Sequence, residues 1–83
     1  MTSKAKAEPL QMTRADLIEY LGFIAQHAEL AQHHLSLADD AGGLYSIKRM
    51  IAYVKAASGC ANDINRMTIE AAITTHQQEA ATA

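Results

Sequence analysis

Four histidines, one cysteine and three tyrosines are the residues of this chain whose side chains could do chemistry. Their spacing is regular. Tyr20, His27 and His34 recur every seven residues, and so do Tyr53, Cys60 and Met67. Seven residues are two helical turns, so each trio lines one face of a helix. If the two faces meet, His34 stands opposite Tyr53, His27 opposite Cys60, and Tyr20 opposite Met67.

An imidazole facing a thiolate is half of a zinc site. Doubled by a two-fold axis, His27 and Cys60 would supply the two cysteines and two histidines of a tetrahedral centre. His27, His34 and Cys60 are therefore the metal candidates, but nothing in the sequence brings them to an axis. Packed histidines that hydrogen-bond a neighbour such as the Tyr53 hydroxyl are the expectation, with no metal and no cofactor. A di-iron carboxylate site needs Glu-x-x-His pairs, and a covalently attached haem needs Cys-x-x-Cys-His. Neither pattern occurs.

Cys60 beside His27 has the composition of a nucleophile and its base. A third residue to orient the base is lacking, and two helices offer no oxyanion donors. Cys60 among Ala57, Gly59 and Ala61 reads as a small packed hydrophobe. No catalytic residue is assigned, and the chain is not expected to be an enzyme.

Lys48, Lys55 and Arg66 share an outer face of the second helical segment and could track phosphates. Asp63 and Glu70 interrupt that stripe, no aromatic residue accompanies it, and the net charge is -2. Nucleic-acid binding is not expected.

The elements that carry these residues follow from apolar periodicity. Leu17, Leu21, Ile24, Ala28, Ala31, Leu35 and Ala38 alternate intervals of four and three, and Ile47, Met50, Val54, Ala57, Ala61, Ile64, Thr68, Ala71 and Thr75 alternate three and four. Only a helix packed along its length requires that repeat. Thr13 has the character of an N-cap, with Asp16 three residues on, and Met12 with Leu17 has the spacing of a hydrophobic staple. Gly42 and Gly43 supply a permissive backbone for a turn. The predicted helices are Thr13 to Ala41 and Leu44 to His76, with a flexible arm over residues 1–12 and a flexible tail over 77–83. Asp39 and Asp40 fit badly, because they would sit at the negative end of the first helix dipole.

Reflected about the Gly42–Gly43 bond, the two seams match residue for residue, and the fold class is an all-α antiparallel two-helix hairpin. Beside the seam, Tyr20, Phe23, His27, Leu30, His34 and Leu37, with Tyr53, Cys60 and Met67, make a strip too broad for one partner helix to cover. An 83-residue chain buries little surface on its own. The strip is the expected interface of a homodimer, closing a four-helix bundle, or a docking face for another protein. One cysteine makes no internal disulfide. No long apolar run or signal-like segment occurs, so the expected setting is cytoplasmic, away from membranes. The expected function is that of a small regulator, inhibitor or adaptor acting by docking.

Overall fold

The computed structural model describes the backbone of residues 2–82 and the side chains of residues 8–81. Met1 and Ala83, assigned above to the arm and the tail, lie outside the described residues. Two helices, α1 (Thr2–Ser36) and α2 (Asp40–Thr82), run antiparallel in a rod of 67 × 19 × 14 Å. The all-α hairpin is as the seam spacing predicts. The helix boundaries, the turn and the register are different.

Residues 2–12, expected as an arm, are the first turns of α1, and residues 77–82, expected as tail, continue α2. Thr13 is accordingly no cap. It lies inside α1, where its hydroxyl donates to the Pro9 carbonyl at 2.9 Å, the back-bonding that mid-helix threonines adopt. Pro9 also lies inside the helix, and it has no N–H to give to the backbone ladder.

The chain reverses over Leu37, Ala38 and Asp39 rather than at the glycine pair. Ala38 takes the left-handed conformation, with φ of 59°. Around it the Asp39 amide donates to the His34 carbonyl at 2.8 Å, and the Ala38 amide to the Leu35 carbonyl at 3.0 Å. This pair of bonds is the Schellman closure of a helix C-terminus, found most often with glycine in the left-handed position. Asp39 then caps α2, its Oδ1 accepting the Gly42 amide at 3.0 Å. Asp39 and Asp40 thus lie at the positive end of a dipole, which removes the misfit in the sequence reading.

Gly42 and Gly43 serve close approach. A Cβ on Gly43 would come within 2.7 Å of Leu35 Cγ, and one on Gly42 within 2.7 Å of His34 Nδ1. The true turn residue is the strained one. An alanine in the left-handed region costs about 1–2 kcal/mol, and glycine there gives back about 0.4–1 kcal/mol through the freer unfolded chain. Ala38→Gly is therefore expected to stabilise the fold by about 0.5–1 kcal/mol, measured as a higher urea midpoint at unchanged slope.

With the turn moved, facing residues are those equidistant from the Ala38–Asp39 bond. Buried and half-buried residues at alternating steps of three and four on α1 are Leu10, Thr13, Leu17, Tyr20, Ile24, His27, Ala31 and His34. On α2 the same steps give Gly43, Ser46, Met50, Tyr53, Ala57, Cys60, Ile64 and Met67. Every one has its counterpart, from His34 level with Gly43, through Ala31 with Ser46 and Ile24 with Tyr53, to Leu17 with Cys60 and Leu10 with Met67. Ring contacts fix this register directly, because Tyr53 lies 4.9 Å from Phe23, 5.3 Å from His27 and 6.4 Å from Tyr20, centroid to centroid.

Both helices are rotated from the expected orientation in the same sense. Leu17, Ile24, Ala31, Met50, Ala57 and Ile64 face the partner helix as predicted, but each is joined by its neighbour at i+3 rather than at i+4. Leu21, Leu35 and Val54, predicted in the seam, are 52%, 44% and 42% exposed. Small residues hold the closest approach: Ala31, Ser46 and Ala57 are buried, together with Gly43. Among the described residues no large side chain is fully buried.

Candidate interaction surface

Six of the nine residues expected at an external interface lie half-buried between the two helices of one chain: Tyr20, His27, His34, Tyr53, Cys60 and Met67. The strip expected outside the hairpin forms its inside. Phe23 is half-buried against Tyr53, while Leu30 and Leu37 remain exposed. The cause is the i+3 pairing, which turns this strip inward and carries the strip of Leu21, Leu35 and Val54 to the surface.

His27 is held by its own helix. Its Nδ1–H donates to the Phe23 carbonyl at 2.8 Å, so the Tyr53 hydroxyl is not its partner. That hydroxyl accepts from Arg49 at 3.3 Å, and the guanidinium sits 5.7 Å from the Tyr53 ring centroid. His27 is level with Met50, and Cys60 with Leu17. The expected His27–Cys60 pairing, and with it the zinc geometry, is therefore replaced by histidine packed on tyrosine. Among the described residues no group of three histidine, cysteine, aspartate or glutamate side chains is placed to hold a metal.

His34 is committed to the turn, its Nδ1–H donating to Asp39 Oδ2 at 2.9 Å. The Asp39 carboxyl is held below its ordinary value of 3.8, chiefly by the Gly42 amide and further by His34. A group whose folded pKa is depressed contributes stability above its unfolded value and loses it as pH falls through the folded one. The Asp39 contribution should therefore be intact above pH 3.8 and fade below it. Asp39→Ala is expected to lower the melting temperature at pH 7 and to flatten its fall below pH 4, as read by circular dichroism.

Lys48, Lys55 and Arg66 are all exposed on α2. Acidic Asp63 stands next to the last of them, Arg66 reaching it at 3.5 Å.

The surface that the sequence reading missed lies on the flank of the hairpin where Leu21, Ala28 and Leu35 of α1 adjoin Ile47, Val54 and Ala61 of α2. Ile18, Ala25, Leu44 and Ile51 widen it. Leu21, Leu35, Ile18, Leu44, Ile51 and Val54 are between 42% and 69% exposed. From Ile18 to Leu35 and from Leu44 to Ala61 this flank carries no charge; Gln32 and Ser58 are its only polar members. The signal for it was the same four-three repeat that was assigned to the hairpin seam. On the opposite flank, apolar Phe23, Leu30 and Tyr45 are mixed with Asp16, Glu19, Arg49 and Arg66.

Among the described residues no helix is long and apolar enough to cross a membrane. The chain matches no family model, no curated protein and no solved structure with which it was compared.

Proposed function

We propose that this chain is a non-enzymatic helical interaction protein, a regulator, inhibitor or adaptor, that docks an apolar helical face onto another macromolecule and works as a homodimer. The carrying observation is the uncharged flank on a chain with too little core. A folded monomer of this mass typically exposes about 4,900 Å², against 6352 Å² here. The excess, about 1,500 Å², exceeds the roughly 800 Å² that each partner of a standard interface buries. Large apolar patches of this kind mark contact surfaces in stable proteins.

The test is mass action. Light scattering should give a mass above 9.0 kDa, and the melting temperature should rise with protein concentration, because assembly stabilises only the folded chain. Val54→Lys, which places a charge in the middle of the flank, should lower the mass and abolish the concentration dependence. A wild-type chain that is monomeric, with a melting temperature constant over a hundredfold range of concentration, would overturn the reading.

A further inference from the structure

We infer that the apolar flank is covered by a second copy of this chain, related by a two-fold axis parallel to the helices, so that both turns lie at the same end of a four-helix bundle. This rests on the docking reading above and specifies the occupant and its orientation. Two face-to-face arrangements of identical hairpins are available. With the axis parallel to the helices, α1 lies against α2 of the second copy at equal distance from the turns. With the axis perpendicular to them, α1 lies against α1 and α2 against α2, with the turns at opposite ends.

Side-chain size distinguishes the two. Ala25 and Ala28 leave a shallow stretch on α1, and Ile51 stands out at its level on α2, while half-buried Ile47 is level with the gap between Ala28 and Gln32. Further from the turn, Ile18 on α1 is level with the gap between Ser58 and Ala61. With the turns together, the Ala25–Ala28 stretch meets Ile51 and Ile18 meets the Ser58–Ala61 gap, which fills space without strain. Opposed turns, centred on the apolar stretch, would set the Ala25–Ala28 region against itself and Ile51 against Ile51.

Charge at the rim agrees. Glu29 and Lys48 are both exposed, equidistant from the turn, and placed at the outer border of the flank on α1 and α2. With the turns together, Glu29 of one copy faces Lys48 of the other, twice per dimer. With opposed turns, Lys48 would face Lys55 and Glu29 would face Gly22. Like charges disfavour that alternative.

The experiment measures the dimer dissociation constant by sedimentation for the wild type, Lys48→Glu, Glu29→Lys and the double swap. Both positions changed are exposed surface sites, so the substitutions leave the packed seam untouched. Exposed ion pairs contribute modestly, so losing two should weaken the dimer about fivefold in either single variant, and the double swap should restore it. In a second measurement, spin labels on Ser36→Cys, in a Cys60→Ala background, should lie roughly 20 Å apart, about the width of a bundle. Opposed turns would offset them by about 30 Å along the axis alone. A dimer that Lys48→Glu leaves unchanged or tightens, or one with the long label distance, overturns this orientation while leaving the docking reading standing. A monomeric wild type overturns both.

Discussion

Replacing Gly22 and Gly59 together by alanine is expected to raise the stability of this protein by about 2 kcal/mol, because each glycine inside a helix costs about 1 kcal/mol against alanine. Neither position requires glycine. Both lie within helices, no glycine of the chain has positive φ, and a Cβ built on either meets nothing within 4 Å. The two sites are on different helices and share no partner, so their effects should add. The other glycine pair behaves oppositely. At Gly42 the same methyl would press on the Asp39 carboxylate and the His34 ring, so the gain in helix propensity is set against the cap and the turn. Urea denaturation of Gly22→Ala/Gly59→Ala and of Gly42→Ala checks both halves: a raised midpoint in the first and no comparable gain in the second. A double variant no more stable than the wild type would mean that one of these glycines lies against a partner helix.

The heptad repeat carried most of the fold and half of the site. Leu17, Ile24, Ala31, Met50, Ala57 and Ile64 face the opposing helix in either reading, because they belong to both candidate seams. The second member of each pair was not legible. On α1 the choice lay between Leu21, Ala28 and Leu35 on one side and Tyr20, His27 and His34 on the other. Periodicity cannot decide between i+3 and i+4 when both strips are largely apolar, and hydrophobicity favoured the leucines. The structure instead buries the rings that stack around Tyr53 and leaves the leucines outside. The turn was hidden for a related reason. A glycine pair serves a chain reversal and a close helix approach equally well, whereas an alanine at φ of 59° carries no sequence signal. Moving the centre of the turn from Gly42–Gly43 to Ala38–Asp39 shifted every facing pair, which is why His27 and Cys60 never meet. The broad apolar face was nevertheless real; its two halves exchanged places.

Ala31→Leu is expected to destabilise the hairpin by about 1–3 kcal/mol, the usual range for forcing a larger side chain into a packed contact. Ala31 is 6% exposed and level with Ser46, itself 4% exposed, one turn from the buried Gly43. Here the helices touch through their smallest residues, so an isobutyl group has no free volume to enter. To admit it, either the helices separate near the turn, loosening the His34–Asp39 and Asp39–Gly42 bonds, or the new side chain takes a strained rotamer. Leucine has slightly lower helix propensity than alanine, but that term is a few tenths of a kcal/mol at most and does not decide the outcome. Ala52→Leu on the exposed side of α2 controls for it, and should change stability by no more than about 0.5 kcal/mol. Equal midpoints for Ala31→Leu and Ala52→Leu in urea would show that α1 and α2 do not approach closely at Ser46. A loss confined to Ala31→Leu would locate the tightest part of the fold beside the turn, where Ala31, Gly43 and Ser46 bring the two helices together.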